Sequence, residues 1–128
     1  MVCLDTDFLI ELARKNPTVQ DKLVEFAKKG EVIYTTTISI AEFYAGIYSS
    51  RKGWSEERAK RFFDSFATIT LDNESARMCG KLMAIMKSNT IGDSDLIIAS
   101  IVVSNNQTLI TKNKKHFERV PGLRIEDW

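Results

Sequence analysis

Short apolar runs alternate along this chain with longer amphipathic stretches. Runs of apolar and β-branched residues bounded by polar or turn residues are typical of β-strands. The sequence predicts such strands at residues 2–4, 31–37, 68–71, 108–111 and 123–125. A polar turn is expected at residues 112–116, between the last two strands.

The stretches between these runs carry apolar residues at helical spacing, which predicts amphipathic helices. The first two helices are expected at residues 6–15 and 17–29, the second with Pro17 in its first turn. Further helices are predicted to begin at Ser39, after Gly53 and near Asn73. Helices that alternate with short strands indicate a mostly parallel sheet covered by helices on both faces.

Residues 96–103 (LIIASIVV) are apolar throughout and follow Ser94, which is a suitable helix N-cap. They predict a buried helix that ends at Asn105 and Asn106, and a buried strand is the alternative. The expected fold is therefore a single α/β domain spanning residues 1–128, with four to five short strands flanked by helices.

Composition narrows the class of protein. The chain has 128 residues, of which 44% are hydrophobic, and 18 basic residues face 17 acidic ones, for a net charge of +1. The net charge therefore argues neither for nor against a polyanionic partner. Any preference for one has to come from local basic patches. No window reaches the ~20 apolar residues of a membrane span, and no signal peptide precedes the first strand.

Cysteine and histidine are scarce, which limits the available chemistry. Cys3 and Cys79 lie far apart and read as two buried thiols of a cytoplasmic protein. A single histidine, His116, disfavours serine–histidine catalysis and histidine-rich zinc sites. Any catalytic site should therefore use carboxylates.

Acidic and amide side chains follow several predicted strands. They are Asp5, Glu42, Asp93, Asp95 and Asn113. Ligands of open α/β sheets bind beyond the carboxyl ends of the strands, so these side chains can meet at one edge. Clustered carboxylates repel one another, and all-oxygen ligands favour Mg²⁺ or Mn²⁺ as the neutralising cation. Such a site suits phosphodiester hydrolysis.

Each of these residues also fits an ordinary structural role. Ser39 and Glu42 match a helix capping box, and Asp5 fits a helix N-cap. Asp95 suits the positive end of a helix, and Asn113 suits a turn. No single position decides between structure and function.

Four segments taken together are more informative. They are VCLDTDFLIEL (2–12), TISIAEFYAGI (37–47), IGDSDLIIASI (91–101) and TLITKNKKHFERVPGLRIEDW (108–128). In this order they resemble the PIN-domain ribonucleases, specifically the VapC toxins of prokaryotic toxin–antitoxin pairs, across the whole chain. The resemblance implies a single PIN-like nuclease domain that hydrolyses RNA with Mg²⁺ or Mn²⁺.

The resemblance also implies roles for individual residues. Asp5, Glu42 and Asp95 match the catalytic, metal-binding acids of the family. Asp95 fits better than Asp93 because the family acid stands three residues after a glycine, here Gly92. Asn113 matches a fourth position that holds Asp or Asn in relatives.

Other positions match less directly. Thr6 and Thr111 match hydroxyl positions that support the acids, and Asp7 and Asp93 are additional charges that could strengthen cation binding. Basic residues near the acids are candidates for contacts with RNA phosphates. They are Arg14, Lys112, Lys114 and Lys115, with Arg119 beside them.

The expected partners are an RNA substrate, a second copy in a homodimer, and a VapB-type antitoxin that covers the acids. Aromatic residues of the middle helices could form such interfaces or could simply be core. They are Phe43, Tyr44, Tyr48, Trp54 and Phe62. Because Asn113 is neutral, a non-catalytic PIN-like module that binds RNA or protein is the alternative function.

Overall fold

A computed structural model describes residues 1–50, 52–87 and 91–128 of the chain. Its strands are β1 (Val2–Leu4), β2 (Ile33–Thr36), β3 (Ala67–Ile69), β4 (Thr108–Ile110) and β5 (Arg124–Glu126). Its helices are α1 (Thr6–Ala13), α2 (Pro17–Lys28), α3 (Thr37–Ser49), α4 (Glu56–Phe63), α5 (Asn73–Ile85), α6 (Asp93–Ser104) and α7 (Lys114–Phe117).

The five strands form one sheet in the order β3-β2-β1-β4-β5, and every described pairing is parallel. The predicted α/β architecture is thereby confirmed. β1 lies at the centre, where Cys3 pairs with Tyr34 of β2 on one side and Leu109 of β4 on the other. Both neighbours are parallel to β1, so all three strands deliver their next residues to the same edge of the sheet.

Two apolar layers cover the sheet. Phe8, Phe26 and Phe43 are fully buried in the layer built by α1, α2 and α3. The other layer holds the buried residues of α6 with Leu82 of α5 and Phe117. Residues 96–103 are helical within α6, as predicted, and not a strand.

Aromatic side chains fill the space between α3 and α4. Phe43 contacts the rings of Trp54, Phe62 and Phe63 at centroid distances of 5.4, 5.4 and 5.0 Å. Phe43 therefore belongs to the core and is not available as a docking surface. Tyr48 differs, because 67% of it remains exposed.

Some sequence predictions were wrong in detail. The helix expected to begin at Ser39 begins at Thr37, because the Thr36 side chain accepts the Ser39 backbone N–H at 3.0 Å and acts as the N-cap. The segment expected to be a turn at 112–116 overlaps α7, which begins at Lys114.

The cysteines agree with expectation: Cys3 and Cys79 are both buried and neither forms a disulfide. Burial, with the nearby Asp5 charge, raises the pKa of the Cys3 thiol to about 12. In the described ranges, no helix is both long and apolar enough to cross a bilayer.

Candidate functional site

A cleft of about 280 Å³ opens at the carboxyl edge of the sheet, beside the ends of β1 and β4. Its lining is Asp5, Thr6, Asp7, Ile10, Glu42, Asp95, Ile98, Asn113 and Phe117. The three acids and the amide singled out in the sequence are thus brought together, although they come from four separate segments.

Asp5 follows β1 directly and is the N-cap of α1. Its Oδ1 accepts the backbone N–H of Phe8 at 2.9 Å, and the buried Thr111 hydroxyl also bonds to its carboxylate. Asp5 is only 6% exposed, and this burial raises its pKa to about 6. The charges of Asp7 and Asp95 add to the rise, while the two hydrogen bonds oppose it.

Glu42 lies on the second turn of α3, and its Oε1 accepts the Thr6 hydroxyl at 2.7 Å. The capping box with Ser39 does not form, because Thr36 caps this helix. The Glu42 carboxylate therefore serves no capping role and lines the cleft. The bond to Thr6 ties the start of α1 to α3 inside the cleft.

Asp95 is half-buried in the first turn of α6. Burial raises the pKa of its carboxyl, and Glu42 and Asp7 raise it further. His116 acts in the opposite direction, since its Nε2 lies 3.9 Å from Asp95 Oδ2. Asp95 is thus the acid of the cleft that lies beside the His116 ring.

Asn113 and His116 form a pair that sequence reasoning did not find. The Asn113 amide nitrogen lies 3.2 Å from His116 Nδ1, and the Asn113 backbone N–H donates to Thr111 Oγ1 at 3.0 Å. An amide NH₂ can only donate, so Nδ1 accepts and the carbonyl oxygen of Asn113 stays available. The sequence feature that could have indicated this pair is the i, i+3 spacing of Asn113 and His116, because residues three positions apart are neighbours in a helix such as α7.

Other candidates lie outside this cleft. Asp93 is exposed at the first position of α6, and Arg14 pairs with Glu11 at 2.8 Å. The Lys112 ammonium lies 4.8 Å from the centroid of the Trp128 ring, and Lys114 is exposed on α7. Lys115 lines a neighbouring depression together with Asn113, His116, Ile91 and Arg119.

Four carboxylates line the cleft, from Asp5, Asp7, Glu42 and Asp95. Their oxygens, with the Asn113 carbonyl, form a hard donor set that suits Mg²⁺ or Mn²⁺ rather than zinc or copper. Across residues 1–50, 52–87 and 91–128, no three acidic, histidine or cysteine side chains are already arranged around one ion position. Mutual repulsion opposes such an arrangement when no cation neutralises the charges.

Comparison with known proteins gives a consistent result. The family model of the PIN domain matches residues 2–123. Ribonuclease VapC2 of Rickettsia felis is 30% identical over 128 residues, covering 98% of this chain and 96% of that protein. The tRNA(fMet)-specific endonuclease VapC of Salmonella typhimurium is 32% identical over 88 residues, covering 64% of this chain and 67% of that protein.

Solved structures agree in fold. The crystal structure of VapBC2 from Rickettsia felis, bound to a DNA fragment from its promoter, contains a chain that superimposes with a TM-score of 0.85 at 29% identity. The match covers all of this chain and 99% of that one. VapBC-1 from nontypeable Haemophilus influenzae gives a TM-score of 0.83 at 27% identity, covering 100% and 98% of the two chains.

Proposed function

Because this chain belongs to the PIN-domain family, we propose that it is an endoribonuclease that acts as the toxin of a toxin–antitoxin pair. The relatives named as VapC ribonucleases match it over nearly their whole length. We further propose that residues 1–128 form one nuclease domain whose activity requires Mg²⁺ or Mn²⁺.

One observation carries the metal dependence: four carboxylates share a cleft in which burial and mutual charge raise the pKa of both Asp5 and Asp95. We propose Asp5, Glu42 and Asp95 as the catalytic, metal-binding acids and Asn113 as a further ligand. A bound divalent ion neutralises phosphate charge and makes water a stronger nucleophile.

The protein's own backbone and side chains hold the acids in place. Phe8 N–H and the Thr111 hydroxyl hold Asp5, and Thr6 holds Glu42. In this proposal, the Thr6 and Thr111 hydroxyls orient the metal-binding acids through these hydrogen bonds. Asp93, two residues before Asp95, adds negative charge that attracts the cation from outside the cleft.

The substrate we propose is RNA, whose phosphates require cations beside an acidic cleft. Arg14, Lys112, Lys114 and Lys115 are the exposed candidates for this role. A homodimer, a VapB-type antitoxin and a cytoplasmic location complete the proposal. The partner is supported by relatives solved as VapBC assemblies, and the location by two unpaired thiols.

The test is cleavage of a mixed tRNA and rRNA pool that includes initiator tRNA. Wild type should give discrete fragments with Mn²⁺ and none with excess EDTA. Asp95→Asn should lose at least about 100-fold in rate, because the charge that binds the cation is gone while the shape is kept. Asp21→Asn, an exposed acid on α2, is the matched control and should cleave normally.

Equal activity in wild type and Asp95→Asn would contradict the assignment. If folded wild type cleaves nothing, calorimetric titration with Mn²⁺ separates two explanations. Saturable binding that Asp5→Asn removes would support an intact site whose RNA was missing from the pool. No binding would favour the non-catalytic module, in which the neutral Asn113 marks a degenerate site.

A further inference from the structure

A second, strongly basic groove lies beside the catalytic cleft. Two adjoining depressions form it, and they share Ala13 and Trp54. Five cationic side chains line the groove: Arg14, Lys15, Lys52, Arg58 and Arg61. Among the described lining residues none is acidic, although the chain as a whole carries a net charge of only +1.

Most of these cations are free to bind an anion. Within the described residues, only Arg14 of the five has a carboxylate partner within 4.0 Å, namely Glu11. Arg58 is held in position by the Trp54 ring, 4.0 Å from its guanidinium carbon, and donates one N–H to the Gly53 carbonyl at 2.9 Å. Its remaining N–H groups are available to a ligand.

Two helices, α1 and α3, contribute residues to both the groove and the cleft. α1 contributes Thr6 and Asp7 to the cleft and Ala13 and Arg14 to the groove. α3 contributes Glu42 to the cleft and Gly46 to the groove, and Ser50, just past its end, also lines the groove. Arg14 lies seven positions after Asp7, a rise of about 10 Å along α1, so the two sites are neighbours on this helix.

The positive charge of the groove indicates which kind of ligand it binds. The four carboxylates of the cleft repel a polyanion, so affinity for a nucleic acid has to come from nearby cations. We propose that the groove lined by Lys15, Lys52, Arg58 and Arg61 binds the backbone phosphates of the RNA strand whose scissile bond enters the cleft. This inference rests on the proposed ribonuclease function and adds a substrate-binding site to it.

The test compares a triple variant with a matched control. Lys15→Gln/Lys52→Gln/Arg61→Gln removes three groove charges, while Lys28→Gln/Lys60→Gln/Lys81→Gln removes three exposed charges elsewhere. Lys60 precedes Arg61 on α4 but does not line the groove. Binding of fluorescein-labelled single-stranded RNA is measured by anisotropy in EDTA, which prevents cleavage, over a series of salt concentrations.

The groove variant should bind RNA about tenfold or more weakly at low salt, and its slope of log affinity against log salt should fall by about 2. The control variant should resemble wild type. With Mn²⁺, the groove variant should show a raised KM and an unchanged kcat on long RNA. A dinucleotide is too short to reach the groove, so wild type and both variants should cleave it equally.

Equal RNA binding by the groove variant and wild type would overturn the proposal, as would an equal loss in the control variant. Loss of binding to a poly-glutamate peptide with unchanged RNA affinity would assign the groove to a protein segment instead. If wild type cleaves no RNA, the Mn²⁺ titration described above decides whether the nuclease function stands, while the binding comparison still tests the groove. Arg61→Gln alone replaces the triple variant if the latter does not fold.

Discussion

Two features of the Asp5 environment have opposite effects on the ionisation of its carboxyl. As the N-cap of α1, its carboxylate accepts the Phe8 N–H and benefits from the helix dipole. As a buried group beside Asp7 and Asp95, it resists ionisation. The second effect prevails, because the pKa of Asp5 is raised to about 6. The folded state therefore contains an unfavourable charge at neutral pH, which a cation can relieve.

The pH dependence of stability follows from this shift. A carboxyl whose pKa rises from 3.8 to about 6 on folding binds protons more tightly in the folded state. Its contribution is favourable below about pH 4 and is lost as pH rises through 6, for a total of about 3 kcal/mol. Asp5→Asn keeps the cap without the charge, so it should exceed wild type in stability by up to about 3 kcal/mol near pH 7.5.

Urea unfolding in EDTA at about pH 4 and about pH 7.5 measures this difference. The advantage of Asp5→Asn should nearly vanish at the lower pH, where wild-type Asp5 is protonated in the folded state. A pH-independent difference would mean that something other than the Asp5 charge is responsible. Asp21→Asn, an exposed acid of α2, controls for general charge effects.

At the scale of the element, the start of α3 determines where Glu42 stands. Thr36 ends β2 and caps α3, so the strand passes into the helix without a loop. Its hydroxyl accepts the Ser39 N–H at 3.0 Å and lies 3.2 Å from the Ser39 hydroxyl, with both residues buried. This compact junction brings Glu42 within reach of Thr6.

Removing the Thr36 cap should therefore be costly. Thr36→Val keeps the shape but leaves the buried Ser39 N–H without an acceptor, and we expect a loss of about 1–2 kcal/mol in the free energy of unfolding. Urea denaturation at neutral pH measures it. Thr68→Val, at an exposed position of β3, should change stability by less than about 0.5 kcal/mol. Equal effects of the two substitutions would argue against the cap.

The sequence predicted the elements well because the hydrophobic period changes clearly between strands and helices. It placed the start of α3 at Ser39 because several residues of TTTIS are suitable N-caps, and only the strand pairing of Thr36 decides among them. α7 was missed because four residues give too little periodicity. Because α7 was not predicted, the contact between Asn113 and His116 was not predicted either.

The meeting of these acids in one cleft was predictable, because Asp5 follows β1, Glu42 lies on the second turn of the helix after β2, and Asp95 lies in the first turn of α6. The hydrogen bonds that hold these acids in place were less predictable. The bond of Thr6 to Glu42 joins residues 36 positions apart, and no local pattern encodes it. The basic groove likewise combines α1 with residues of α4, so its charges are scattered in the sequence.

For the whole molecule, a bound cation should act as a stabiliser. Mn²⁺ relieves the repulsion in the cleft only when the chain is folded, so excess metal should raise Tm and add about 2.7 kcal/mol at a hundredfold excess over Kd. Thermal unfolding with and without Mn²⁺ measures this effect. The shift should be lost in Asp5→Asn and kept in Asp21→Asn. An equal shift in both variants would place the metal elsewhere.

The central position of β1 also governs when the cleft can form. This strand pairs with β4 from a distant part of the sequence, and the cleft joins Asp5, at the end of β1, to Asn113, just past β4. A nascent chain therefore cannot assemble the cleft before β4 has been made, because β1 can pair with β4 only after that distant segment is available. A fragment of this chain that lacks β4 should therefore lack both the cleft and Asn113, and with them the proposed activity.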